Sequence, residues 1–468
     1  MSAHFSLKKL TQVVDLLAAH KENPSRYPFL LESVATGDKN CDYSILFAFP
    51  QAQIALTELN TLHSEGVDLD SNQFLDSLNQ WFSCDTKQVP ATIKQKLPFY
   101  GGWFVYLGYE LSQEIEPVLQ AHTSSHAASE IDLPLAMATR IPAAIIVNKK
   151  HNETWIVAEP GFENLLEQIT QDIQCKSPQD WQGLKQRNII EEAPARYTDA
   201  VERIQQYIVD GDVFQVNISR QWQIQLDRDY SPATVYAQLR KSNPAPFAGL
   251  MVLDAAAVIS SSPERLVSVR NGQVETRPIA GTRPRSRTLS GEIDTNADEA
   301  LRQELINHPK ERAEHVMLID LERNDLGRIC RPGSIEVDEL MGLETYEHVH
   351  HIVSNVKGQI AGNILPGDVI KAVFPGGTIT GCPKVRCMEI IAELEASPRQ
   401  AYTGSMGYVN IDGDMDFNIL IRTIIHAANQ LHIRAGAGIV AYSDAEKELQ
   451  ETRIKARGML KVIGSEQK

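Results

Sequence analysis

Apolar and polar residues alternate along FQVNISRQW, where Phe214, Val216 and Ile218 are separated by Gln215, Asn217 and Ser219. A period of two puts one set on the apolar face of a strand and offers amides and a hydroxyl on the other. Ahead of it, Val201, Ile204 and Ile208 recur at helical spacing after the capping residue Thr198, and Gly211 stops that helix. Runs at YSILFAF (43–49), GGWFVYLGY (101–109), PAAIIV (142–147), GLMVLDAAAVIS, YTGSMGYVNI and LHIRAGAGIV predict further strands with helices between them. AHTSSHAASE (121–130) reads as an exposed loop and KSPQDWQGLKQRN (176–188) as a connector. Together they suggest large antiparallel sheets covered by helices. The pattern divides into a less informative region over 1–185 and a motif-dense region over 195–464.

Composition narrows the picture. With 468 residues, 43% of them apolar, the chain can bury one large core or two ordinary ones. Its 45 basic and 60 acidic residues leave a formal charge of −15, and no basic cluster is long enough to follow a phosphate backbone, so nucleic acid is not an expected partner. The six cysteines include no CxxC pair, which suits a reducing cytoplasm better than a zinc site or a disulfide framework. No stretch approaches the ~20 apolar residues of a membrane span.

Two pairs of glutamates carry the sharpest chemical signal. Pro309 can open a helix on which Glu311 and Glu314 are neighbours, and Ser443 with Glu446 forms a capping-box pattern ahead of Glu448, Glu451 and Lys455. Four carboxylates from two helices suit a hard divalent cation such as Mg²⁺, whereas a single Glu-x-x-Glu face is ordinarily just solvated.

FPGGTITGCPK (374–384) places Gly376, Gly377 and Gly381 where backbone N–H groups can approach an anion, with hydroxyls from Thr378 and Thr380. It is not a P-loop, because Cys382 and Pro383 separate Gly381 from Lys384. The choice lies between a carboxylate site and a plain glycine turn entering the next helix. His348, His350 and His351 lack the partners of a zinc site, and strand alternation turns at most one of His350 and His351 into a given cleft. There an imidazole can move a proton or serve only as structure. Glu264 follows a strand in SSSPERL, and Arg277, Arg283 and Arg285 crowd the loop RPIAGTRPR, as surface charge or as binders of a dicarboxylate.

SPERL, RPIAGTRPR, ERAEHVMLIDLERNDLGR, HHIVS, FPGGTITGCPKVRCMEII, IRT, AGAGIV and the terminal glutamate helix together resemble, in order and spacing, the chorismate-binding enzyme family, which includes anthranilate, aminodeoxychorismate, isochorismate and salicylate synthases. The resemblance implies an α+β fold of two large antiparallel sheets packed as a sandwich and flanked by helices, with the active site in a cleft, and makes Glu311, Glu314, Glu448 and Glu451 a magnesium shell. It puts Gln215, Thr378, Tyr402, Arg422, Gly436 and Lys455 at substrate-contacting positions, and Glu264 and His351 at proton-transfer positions.

Water-using members resemble one another in placing a lysine base where this chain has Gln215, and a neutral amide cannot deprotonate water. The resemblance therefore implies an aminating synthase fed with ammonia by a separate glutamine amidotransferase subunit, since no glutaminase-like motif appears here. Asn217 and the LLES…YSILFAFP stretch resemble the aminodeoxychorismate branch of 4-aminobenzoate and folate synthesis. Ala280, standing where relatives of that branch carry a nucleophilic lysine, departs from it and keeps the anthranilate branch as the alternative. A non-catalytic amino-acid sensor is the third reading. Glu32 and Ser33 resemble a segment that holds tryptophan in relatives, against the plainer reading of strand packing.

Overall fold

The computed structural model describes residues 5–34, 43–123, 131–174, 181–288, 292–345 and 349–464. Within them two antiparallel sheets stack face to face. The 12-stranded sheet runs Ser6–Leu10, Glu153–Ala158, Ala143–Asn148, Tyr43–Ala48, Phe29–Glu32, Phe247–Val252, Ala257–Ser262, Thr423–Ala427, Gln430–Ile439, Gln215–Leu226 and Gln186–Glu191, with Gly381–Cys382 added to the Gln215 strand. The 11-stranded sheet runs Ile279–Pro284, Val349–Gln359, Gln273–Thr276, Arg265–Arg270, Met415–Asn418, Ser405–Asn410, Gly102–Leu107, Ala136–Ile141, Gln53–Glu58 and Thr61–Glu65, with Glu336–Thr345 on Val349–Gln359. The antiparallel sheets suggested by the strand pattern, and the sandwich implied by the resemblance, are therefore present.

Strands from the two stretches of sequence interleave in both sheets. Phe29–Glu32 pairs with Phe247–Val252, and Gly102–Leu107 pairs with Ser405–Asn410. Between the sheets lies an aromatic core containing Phe29, Phe47, Phe99, Tyr100, Phe104 and Tyr408. Phe29 of one sheet stacks on Phe104 of the other at 4.1 Å between ring centroids, an arrangement that adds to plain area burial. Helices cover the outer faces: Pro232–Ser242 and Ala445–Leu460 contribute to the core on one side, Phe74–Asp85, Pro309–Gly327 and Pro366–Val373 to that on the other. Among the described residues no helix is long and apolar enough to cross a membrane.

Several local expectations need correction. The helix expected to be capped by Thr198 begins earlier, at Pro194, and Thr198 Oγ1 instead donates to the Ala195 carbonyl. Proline fits the first helical turn because its missing N–H would be unpaired there anyway. Phe214 lies before its strand and is 68% exposed, while Val216 and Ile218 are buried as the alternation requires. The last long helix is capped by Asp444, whose side chain accepts from the Lys447 N–H, and Ser443 Oγ accepts from Val440 instead. Pro309 does open its helix, and Gly211, at φ +85°, follows the end of Pro194–Val209.

Candidate active site

One end of the Gln215–Leu226 strand, the glycine-rich turn and the last helix enclose a cavity of about 150 Å³. Its wall includes Glu264, Thr378, Tyr402, Arg422, Gly436 and Lys455, six positions singled out in the sequence and drawn from six separate segments. Asn217, Ile379, Ile421, Arg434 and Ala435 complete it.

Glu264 sits where the strand Ala257–Ser262 ends, with its N–H donating to Ser262 Oγ at 3.2 Å. Thr378 Oγ1 donates to Glu264 Oε1 at 2.7 Å. Burial pushes the Glu264 carboxyl up to about 7, against the opposing pull of that hydroxyl and of Lys455. A carboxylic acid that titrates near neutrality can give or take a proton at working pH.

Thr378 is presented by a short turn that only glycine permits at two points. A Cβ on Gly377 would fall 2.2 Å from Leu321 Cδ2, and one on Gly381, at φ +134°, 2.1 Å from the Gln215 carbonyl oxygen. Of the two threonines in this turn, only Thr378 faces the cavity. Thr380 Oγ1 turns inward to the Gly376 carbonyl at 3.0 Å, and Lys384 is tied to Asp325.

Arg422 adopts a left-handed backbone, φ +53°, and its Nη1 donates to the Lys455 carbonyl at 2.7 Å. No carboxylate of the described residues lies within ion-pair distance of it, and burial lowers its pKa. A desolvated guanidinium without a counter-ion, open to a cavity, is suited to an anionic ligand. Lys455 Nζ donates to the Gly436 carbonyl at 3.0 Å and pairs with Glu451 at 2.7 Å. Arg434 escaped the sequence reading, although it shares a strand face with Gly436 at period two. Its guanidinium is bound to Glu395, which also holds Arg399. The loop arginines lie outside this cavity: Arg277 pairs with Glu339 and Glu344, Arg283 with Glu304 and Glu311, and Arg285 with Asp298.

Alternation on Val349–Gln359 separates the histidines as expected. His350 is fully buried between Thr345 and Asp298, whereas His351 Nδ1 lies 2.9 Å from Thr282 Oγ1. Burial holds His351 down to about 4, with Arg422 among the groups pushing the same way, so its ring is neutral at physiological pH. His351 is not part of the cavity wall. His348 lies outside the described residues. Gln215 is not part of the cavity wall, and its buried Oε1 has no partner among the described residues. Ala280 is buried on Ile279–Pro284.

The acidic pairs lie on two helices that approach one another. Lys310 Nζ is 3.7 Å from Glu314 Oε1 and acts electrostatically on Glu448, and Tyr442 OH donates to Glu314 at 3.0 Å. Glu311 accepts from Arg283 at 3.3 Å. Among the described residues no three carboxylate, imidazole or thiolate side chains are gathered into one coordination sphere. Burial raises the pKa of both Glu314 and Glu448, and in each the other glutamate of its pair raises it further. Such like-charged oxygen donors fit a hard divalent cation, which would relieve their repulsion.

A second cavity, of about 420 Å³, includes Leu31, Glu32, Ser33, Tyr43, Pro246 and Met406 in its wall. Glu32 lies 3.4 Å from Arg240, and Ser33 Oγ is buried without a partner among the described residues.

The chorismate binding enzyme family matches the chain over residues 28–461. An "Anthranilate synthase component I-like protein" of Synechocystis is 39% identical over 393 residues, covering 82% of this chain and 78% of its own. An "Aminodeoxychorismate synthase component 1" of Bacillus subtilis is 50% identical over 268 residues, 57% of this chain and 55% of its own. The crystal structure of anthranilate synthase component I from Streptococcus pneumoniae superposes with a TM-score of 0.76 at 31% identity, over 90% of this chain and 93% of that one.

Proposed function

The chain belongs to the chorismate-binding enzyme family, and from that membership we propose that it converts chorismate and ammonia to 4-amino-4-deoxychorismate, for 4-aminobenzoate and folate synthesis. The observation that supports this best is the cavity itself, where an acid poised near neutrality faces a guanidinium without a counter-ion.

In this reading Arg422 and Lys455 hold the substrate's carboxylates, and Thr378 orients Glu264. Glu264, protonated, supplies the proton that lets the ring hydroxyl leave as water. Ammonia forms the new C–N bond and gives up one proton, so the exchange balances without an oxidant. His351, neutral and next to the site, is a second place for a proton. Glu311, Glu314, Glu448 and Glu451 would hold Mg²⁺, whose charge would offset that of the ring carboxylate. With Ala280 in place of a lysine, no covalent enzyme adduct forms at that position. Ammonia comes from a glutamine amidotransferase subunit, in keeping with the "component 1" in the relatives' names, and the enzyme works in the cytoplasm.

The anthranilate branch is the second reading, favoured by Ala280 itself, since direct amination beside the ring carboxylate needs no lysine. Purified protein given chorismate, magnesium and ammonium decides between them. With the downstream lyase added, 4-aminobenzoate supports the main reading, and directly appearing fluorescent anthranilate supports the second. Neither product, in protein that still binds its partner, would favour the amino-acid sensor. For Glu32 and Ser33 we propose, more narrowly, that the cavity they line accepts tryptophan.

A further inference from the structure

The cavity is rich in donors and poor in free acceptors. Glu264 already takes the Thr378 hydroxyl, and Arg434 spends its N–H groups on Ser219, Ser397, Pro398 and Glu395. Asn217 is different. Its Nδ2 donates to the Thr378 carbonyl at 3.1 Å, its N–H donates to the Thr380 carbonyl at 2.9 Å, and its own carbonyl accepts from Arg399 Nη2 at 2.8 Å. Only the nitrogen end of the amide can donate to a carbonyl, so these bonds fix which way the side chain points. Its Oδ1 is left with no hydrogen-bond partner among the described residues, in a side chain that lines the cavity.

Opposite Asn217 in the ladder stands Gly438, and opposite Ser219 stands Gly436. Both glycines share one strand face, and Gly436 lines the cavity. A Cβ on Gly438 would fall 3.2 Å from Asn217 Oδ1 and 2.5 Å from Gln215 Nε2, so glycine at this position leaves Oδ1 uncrowded. Gln215 Oε1, buried beyond it, is a second acceptor without a partner among the described residues. A small N–H donor is what such an acceptor would take.

We propose that Asn217 Oδ1 is the acceptor that seats the incoming ammonia. This rests on the amination reading given above. Ammonia has three N–H donors and one lone pair, so a bond to Oδ1 leaves the lone pair free to attack. Asn217 thereby acts on the nucleophile, while Arg422 and Lys455 act on the substrate.

Steady-state kinetics of the full-length protein, with chorismate, magnesium and ammonium chloride at fixed pH, test the assignment, with products identified by mass spectrometry and folding checked by circular dichroism. Asn217→Leu keeps the volume and removes the oxygen. Loss of one hydrogen bond should raise KM for ammonia roughly tenfold while KM for chorismate stays within about twofold. Gly438→Ala, which leaves Asn217 in place, should raise KM for ammonia alone by crowding Oδ1. An unmoved ammonia KM in both folded variants overturns the proposal. So does a parallel rise of both KM values, which would mean that Asn217 merely props Thr378. A wild-type protein that binds chorismate but yields no aminated product sinks the amination reading and this inference with it.

Discussion

Replacing Glu264 by Gln should weaken the enzyme and strengthen the fold, and both effects can be sized from the structure. The carboxyl is 7% exposed and titrates at about 7 instead of 4.5, chiefly through burial. A folded pKa raised above the unfolded one means that the native state holds an extra proton between the two values. The group's contribution is therefore complete below pH 4.5 and is lost as pH rises to about 7. At 1.36 kcal/mol per pH unit that loss is about 3 kcal/mol. Glutamine mimics the protonated acid at every pH, so the variant should match the wild type near pH 4.5 and exceed it by up to about 3 kcal/mol at pH 7 and above. Catalysis should move the other way, with kcat falling by roughly 10²–10⁴, the usual worth of a general acid. Wild-type kcat should also decline as pH rises through about 7, and the variant should lack that limb. Denaturant unfolding at a series of pH values, beside pH–rate profiles, measures both. A variant that keeps the limb, or that gains no stability between pH 5 and 8, refutes the assignment of Glu264 as a buried acid.

Arg422→Met should raise KM for chorismate by roughly 2–5 kcal/mol in binding free energy, because it removes one partner of a buried charge pair; an unchanged KM would show that the carboxylates bind elsewhere. Glu448→Gln should weaken magnesium-dependent turnover and shift unfolding by less than about 0.5 kcal/mol, and normal turnover at low magnesium would remove Glu448 from the metal shell. Gly381→Ala should destabilise the fold and abolish turnover together, since its Cβ would fall 2.1 Å from the Gln215 carbonyl oxygen at a φ that L residues avoid; a variant that folds and turns over normally would show that the turn can move aside. A tryptophan titration followed by intrinsic fluorescence should saturate in the wild type and weaken in Glu32→Ala, and no saturation would leave the second cavity without that ligand.

Much of this protein is legible one residue at a time. Period-two alternation places Val216 and Ile218 inside and leaves Gln215, Asn217 and Ser219 on the opposite face. The same rule separates His350 from His351, and Pro309 and Gly211 mark helix boundaries through their own backbone chemistry. Motif order was enough to recover the six cavity positions from Glu264 to Lys455.

Local rules fail where competing partners decide. Thr198 and Ser443 are good capping residues, yet Pro194 and Asp444 set the helix starts, because a cap depends on where the chain enters the turn. Thr378 and Thr380 look alike in sequence, and only the fold of the glycine turn aims one at Glu264 and the other at the Gly376 carbonyl. The arginines of RPIAGTRPR pair with acids on other strands and helices, while no carboxylate of the described residues lies within ion-pair distance of Arg422. The acidity of Glu264 comes from burial, a property of everything packed around it. Sequence by itself determined the strand faces, the class of fold and the roster of chemical groups, because these follow from spacing along one chain. Which groups are desolvated, paired or left facing the cavity was decided only when two interleaved sheets brought distant segments together.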